Sequence, residues 1–600
     1  MAKSEKMLTR NQVPAEDTWA LYKIFKNAAA WHRAFRKLEK EFPLYATHKK
    51  QMLNDAESLA ALFNFDNQIE RQLEKLGSYA FLSQSVDLTD SGAQEMVSRY
   101  SNLATRIQEA ASFITPQLMS IPTAKMSLLL EHASLAEHKV TLQRILRKKK
   151  HILSKKEERL LAMQGEVVGA ASNIFRKLND SDFTFGSVQV NGKQIELTQS
   201  TYGLLLESPE RRVRKAAFTK LFATYAQFQN TLAETYNASV LQDAYQAKAR
   251  HYPSAREKSL FADDVPVSVY DNLIQTVRDH INVNHRYLAL HKKVLKLKEL
   301  HFYDTYVPLV STVKWKSEYD KSVETICDAL APLGRSYCNA LKKGLTTERW
   351  VDKYENKGKR SGAFSAGGYD VAPYILMNYK LDSLQSIYTL AHEAGHSMHT
   401  YYSAENQPFS TYDYTIFVAE VASTFNEQLL TEHLLANAKN KEMKAYIIDR
   451  EINQLRATAV RQTMFAEFEK ISHDIVESGE ALTLERLRRE YETLVTFYFG
   501  EALTFDSELS LEWARIPHFY SAFYVYKYAT GLTAATALSN RVLSGGAPER
   551  NAYLNFLKSG ASKFPLDLLR DAGVDLSSPA PVRTLMQRFS TLIDQLESLL

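Results

Sequence analysis

Cysteine is nearly missing from this chain: two in 600 residues, Cys327 and Cys338. Secreted proteins of this length ordinarily carry more, so a disulfide framework is excluded and a reducing, cytoplasmic setting is expected. Glycine (21) and proline (16) are scarce too, together roughly half their usual share. So few breakers leave room for long helices. Long apolar runs are also lacking, none approaching the ~18 residues that cross a bilayer, so no membrane span is expected. The opening Met1-Ala-Lys-Ser-Glu-Lys has no apolar stretch of the kind a signal peptide needs.

Charge of one sign is lacking as well. Lys and Arg number 74, Asp and Glu 69, for a net charge of +5. That is too small and too dispersed to attract nucleic acid. The densest basic run, Arg147-Lys-Lys-Lys-His151, reads as a solvated helix face, with a polyanion or membrane-surface site as the alternative. There is no internal repeat and no low-complexity segment.

What the chain has is helical periodicity. Leu21, Ile24, Phe25, Ala28, Trp31 and His32 recur at spacings of three and four, one face of a helix. The same style runs to about residue 175, and again over 210–298, 318–345 and 384 to the end. Breaks fall at Pro332, Gln407-Pro408, Gly500, Ile516-Pro517 and Gly545–Pro548. Residues 1–12 are polar and expected to be loose. Val188-Gln-Val-Asn-Gly-Lys-Gln-Ile-Glu-Leu has the alternation of a hairpin, with Asn191-Gly192 as its turn. Residues 303–313 have strand-like content, 357–368 read as a flexible loop, and 374–379 as a short apolar strand. The fold class is mainly α with a small β element. Six hundred residues exceed one ordinary core, so the chain divides into 1–200, a helical region ending in the hairpin, and 201–600.

The chemistry concentrates in Thr389-Leu-Ala-His-Glu-Ala-Gly-His-Ser-Met-His399. Residues four apart on a helix share a face, so His392 and His396 can aim ring nitrogens at one cation. Glu393 follows the first ligand, where a base beside the metal belongs. Gly395 removes a side chain between the histidines, letting a backbone or a substrate approach. The next apolar helix, Thr415-Ile-Phe-Val-Ala-Glu-Val-Ala-Ser-Thr-Phe-Asn-Glu427, carries Glu420 among Phe417, Val418, Val421 and Ala422. A carboxylate there is costly unless paired. Two His and one Glu with an open fourth position make a catalytic zinc set. Glu427, two turns on, either steers a ligand histidine or is a surface carboxylate or ion pair. His399 either supports the site or packs.

These runs, with Glu420 standing 28 residues after His392, resemble the oligoendopeptidase F branch of the thimet-oligopeptidase-like metallopeptidases. Pro14-Ala-Glu-Asp-Thr-Trp19, Arg360-Ser-Gly-Ala-Phe-Ser-Ala-Gly-Gly-Tyr-Asp and Ile516-Pro-His-Phe-Tyr…Tyr-Val-Tyr-Lys-Tyr-Ala-Thr-Gly531 carry the same resemblance in order along the chain. It implies an elongated body of two lobes around a deep substrate channel, the β element near the active site, and one zinc ion per chain. It also implies endopeptidase action on short peptides, not folded proteins.

The expected reaction is attack of an activated water on the scissile carbonyl, with Glu393 taking the proton and passing it to the leaving amine. The oxyanion needs donors besides the metal. The resemblance implies a His and one or two Tyr from 518–528, with His518, Tyr524 and Tyr528 as the candidates. Tyr520, Tyr524 and Tyr528 recur every four residues, a single helical stripe. An extended peptide is expected to add beside 374–379 through main-chain hydrogen bonds, with the loop at 362–369 closing over it.

Overall fold

A computed structural model describes residues 7–310 and 313–600. The fold is mainly helical, as composition and periodicity predict, with two small sheets. The chain forms two compact units that interleave in sequence. The first takes residues 1–150, 314–434 and 538–574; the second takes 151–313, 435–537 and 575–600. The sequence division at 200/201 falls inside the second unit, as does the hairpin.

In the first unit a 30-residue helix, Ala56–Ser85, is the spine. The Asp55 side chain caps it by accepting the Ser58 amide at 2.7 Å, which satisfies one of the otherwise orphaned first-turn donors. Leu59, Leu62, Phe63, Ile69, Leu73, Leu76 and Ala80 bury its inner face. Trp31, fully buried, donates its indole N–H to the Leu76 carbonyl at 2.9 Å. Each such large apolar side chain contributes about 1.5–3 kcal/mol on burial.

The same unit holds a three-stranded sheet in the order β3-β5-β4: β3 Val351–Asp352, β4 Phe364–Gly368, β5 Val371–Leu376. β4 and β5 are antiparallel, β3 and β5 parallel. Two expectations change here. The second half of the segment read as a flexible loop is β4, whose glycines serve close packing: a Cβ on Gly367 would lie 2.9 Å from the Pro373 Cα. And 374–379 offers no edge to a peptide, because the amides of Ile375, Met377 and Tyr379 already donate to the carbonyls of Trp350, Asp352 and Lys353. The chain before Trp19 is also tied down. Arg10 sits in a 3-10 turn and pairs with the buried Asp352 at 2.6 Å, so the expected looseness fails for residues 7–12; residues 1–6 lie outside the described residues.

In the second unit, β1 Ser187–Val190 and β2 Lys193–Glu196 form the expected antiparallel hairpin. Asn191 (φ 49°) and Gly192 (φ 78°) supply its turn. The strand expected over 303–313 is instead a 3-10 turn at Phe302–Asp304 followed by irregular chain; residues 311 and 312 lie outside the described residues. The cause is Asp304. Its fully buried carboxylate accepts from Arg211, Arg214 and the His301 amide, and gathering those donors curls the backbone.

Candidate metal centre

The predicted ligands occupy two helices of the first unit, Leu384–Asn406 and Ile416–Ala436. Gly395 explains how closely they meet: a Cβ there would lie 2.5 Å from the Ala422 carbonyl oxygen and the Ser423 Cα. The backbone anticipated at that glycine is that of the second helix. Asn426 bolts the crossing by donating to the Ala391 carbonyl at 3.1 Å. Phe425 stacks on Tyr553 at 3.8 Å, and His399 packs near Phe556, both from the helix Ala547–Lys558.

At this crossing Nε2 of His392 and Nε2 of His396 lie 3.4 and 3.5 Å from the same Glu420 oxygen, Oε2. Ligand atoms of the three residues all lie within 4.8 Å of one another, close enough to hold one metal ion. His392 presents its other nitrogen, Nδ1, to Glu427 at 2.7 Å. That hydrogen bond orients the ring and fixes which nitrogen faces the cluster, so Glu427 is no surface ion pair. Ser423 Oγ donates to Glu420 Oε2 at 3.0 Å, steadying the carboxylate.

Burial alone would raise the Glu420 carboxyl, but the two imidazoles facing it hold it well below its ordinary range. Burial likewise pulls His392 down, and the carboxylates of Glu420 and Glu427 overcome it, pushing it up to about 10. The cluster therefore collects enough negative charge to hold a proton or a metal cation, and the two compete. Glu393, 7% exposed, is pushed above its ordinary value by burial, with His392 and His396 pulling it back. A carboxyl shifted that way is better matched to accept protons near neutral pH. A backbone hydrogen bond from Ser365 in β4 also reaches Glu393, and Ser365 Oγ lies 2.8 Å from Ser397 Oγ. The edge strand is thus tied to the helix that carries Glu393.

The family model for peptidase family M3 matches residues 204–588, and the model for oligopeptidase F matches 117–185. Oligopeptidase PepF of Bacillus subtilis is 41% identical over all of this chain and 89% of its own. The oligoendopeptidase F homolog of Borreliella burgdorferi is 38% identical over 99% of this chain and 100% of its own. The crystal structure of oligoendopeptidase-F from Enterococcus faecium superposes with a TM-score of 0.73 at 33% identity, over 95% of this chain and 98% of that one. The chain belongs to peptidase family M3. It sits in the oligoendopeptidase F branch, and is a metalloendopeptidase that hydrolyses peptides.

Of the M3 chain's remaining predicted residues, those at 518–528 lie in the second unit, where the backbone departs from the sequence reading. Residues 520–528 do not form one helix. Pro517–Tyr520 is a 3-10 turn, Phe523 has φ 57°, and the helix Tyr526–Ser544 begins only afterwards. The four-residue tyrosine spacing therefore does not make a stripe. Tyr520 leaves the group and stacks on Phe175 with centroids 4.5 Å apart. His518, Tyr524 and Tyr528 stay together: Tyr528 Oη lies 3.3 Å from His518 Nε2, and the three rings are 5.5–6.1 Å apart. His399 is core. It stacks on Tyr414 at 3.6 Å, and burial pushes it down to about 3, so it stays neutral.

Sequence reading missed Asn426, Ser423, Ser365 and Ser397. Asn426 carried a usable signal, since a buried amide in an apolar helix demands a partner just as Glu420 did. Ser423, one turn after Glu420 on the same helix, carried one as well; Ser365 and Ser397 carried none, because their pairing depends on a strand that the glycines concealed.

No helix among the described residues is long and apolar enough to cross a membrane.

Proposed function

We propose that this M3 chain is a zinc endopeptidase that cuts internal bonds of short oligopeptides, with residues 201–600 as its catalytic region. The observation that carries the reading is the convergence of His392, His396 and Glu420 beside Glu393. Bonds of about 2.0–2.1 Å in a tetrahedron put neighbouring donors about 3.3 Å apart, and the separations of 3.4 and 3.5 Å suit that ion. His392, His396 and Glu420 would hold one zinc per chain, leaving a position open. Zinc bound there supplies Lewis acidity and lowers the pKa of water to about 7.

The protein's own residues do the rest. Glu393 accepts a proton as the water oxygen adds to the scissile carbonyl carbon. It then delivers that proton to the amide nitrogen as the C–N bond breaks, and the second proton of the water passes from the new carboxyl group to the amine, leaving a carboxylate and an ammonium. Glu427 holds His392 in the orientation that keeps Nε2 on the cluster. His518, Tyr524 and Tyr528 donate to the substrate carbonyl oxygen as it gains charge.

The substrate backbone lies along β4, not along 374–379. The far side of β4 pairs with no described strand, and main-chain pairing there is blind to sequence. The compartment we propose is the cytoplasm, supported by the scarcity of cysteine in the chain.

The test is a peptide blocked at both ends, digested with and without a chelator and read by mass spectrometry. Internal cleavage that stops on chelation and returns with zinc supports the proposal. An intact blocked peptide beside trimmed free ones would assign exopeptidase action instead.

A further inference from the structure

A turn as unusual as that at Phe523 has to be held. Phe523 is one of few non-glycine residues with positive φ among those described, a conformation that persists only where the surroundings over-determine it. It lies between His518 and the start of the helix carrying Tyr528. Three contacts of the second unit restrain it. Glu469, on the helix Arg461–Glu477, accepts the Phe523 amide at 2.9 Å through Oε1. Ser259 donates its hydroxyl to the Ala522 carbonyl at 2.8 Å. The Phe523 ring packs against His473 and Tyr270, with centroids 4.5 and 5.7 Å away.

Glu469 is the costly member of this set. It is fully buried, its Oε2 finds no hydrogen-bond partner among the described residues, and the one charged side chain acting on it is the like-charged Asp243. Burial pushes its carboxyl well above the ordinary range, favouring the neutral form. A buried acid without a cation is an expensive way to fill space; its one visible use is to receive that amide.

We infer that Glu469 is a positioning residue: its buried carboxyl fixes the left-handed turn at Phe523, and that turn brings Tyr524 and Tyr528 beside His518. The hydrogen bonds on either side show how. The Ser521 amide closes on the His518 carbonyl at 2.9 Å, and the amides of Lys527 and Tyr528 close on Tyr524 and Val525 at 3.1 and 3.2 Å. The turn is the joint between two rigid stretches, one bearing the histidine and the other the tyrosines. If the joint relaxes, the hydroxyls shift from the histidine while both stretches stay folded.

The inference rests on the proposal that these three residues touch the substrate, and a double-mutant cycle separates the two. Glu469→Gln keeps a neutral acceptor and should retain parent turnover. Glu469→Ala should lower kcat about tenfold with KM little changed, since a small misplacement of groups used in the transition state is costly there. Tyr528→Phe should lower kcat more strongly. In the Tyr528→Phe background, Glu469→Ala should then cause a clearly smaller loss than in the parent, because only Tyr524 is left to misplace. Multiplying effects would overturn the role of Glu469, as would a Gln variant as impaired as the Ala variant. Parent turnover in Tyr528→Phe alone would overturn the substrate role of the tyrosines and the inference with it. If Glu469→Ala does not fold, Ser259→Ala, which loosens the same turn from the other side, replaces it in the cycle with the same outcomes.

Discussion

The crossing of the helices Leu384–Asn406 and Ile416–Ala436 and the turn at 517–528 are both candidates for chemistry, yet they are built on opposite plans. At the crossing, regular helices do the positioning. Residues four apart share a face, Gly395 admits the second backbone, and Asn426 locks it. At the turn, regularity is what fails. Four-residue spacing of tyrosines continues through a 3-10 turn and a left-handed phenylalanine, so identical spacing no longer means a shared face. Ligands that must converge on one point profit from a rigid ladder. The donors proposed to meet a substrate atom are instead gathered by an irregular joint.

The largest effect should come from the ordered side of this comparison. Glu393→Gln should lower kcat by about 10³-fold or more, the scale of losing a general base, while metal analysis finds the parent zinc content. Turnover at the parent rate would strip Glu393 of its role. On the irregular side, Tyr528→Phe should cost about a hundredfold in kcat if its hydroxyl meets the developing oxyanion. Back at the crossing, Glu427→Ala releases Nδ1 of His392 and should weaken metal affinity about 10–100-fold, measured by competition with a chromogenic chelator; unchanged affinity would mean the 2.7 Å contact does not steer the ligand. Gly395→Ala should force the helices apart and destabilise the fold by about 1–3 kcal/mol, seen as a lower denaturation midpoint together with weaker metal binding.

The sequence was legible wherever a periodic rule governs the backbone. The i, i+4 histidines and the Asn-Gly hairpin each obey one such rule, and each stands where that rule puts it. The misreadings share a different cause. β4 looked like a loop because Gly367 and Gly368 suggest flexibility, whereas here they make room for Pro373 and Glu74. Residues 303–313 looked like a strand because their composition favours one, but the buried Asp304 collects Arg211 and Arg214 from far along the chain. The strand at 374–379 looked like a free edge, although β5 is paired on both sides, because pairing order is a tertiary property that composition does not carry.

The smallest expected effect sharpens the comparison most. If helical spacing governed 520–528, Tyr520 would stand in line with Tyr524 and Tyr528, and removing any of the three hydroxyls would cost similar turnover. The structure instead turns Tyr520 away to stack on Phe175 at 4.5 Å, with the Tyr236 ring 6.2 Å off. The ring does the packing there, and Phe keeps the ring. Tyr520→Phe should therefore leave kcat and KM within about twofold of the parent, because the contacts Tyr520 makes are ring contacts that Phe preserves. Steady-state kinetics of Tyr520→Phe and Tyr528→Phe side by side decide it. Equal losses would restore the helical stripe and remove the left-handed joint from the account; a silent Tyr520 beside a crippled Tyr528 means that the turn at Phe523, not the spacing, selects which hydroxyl works.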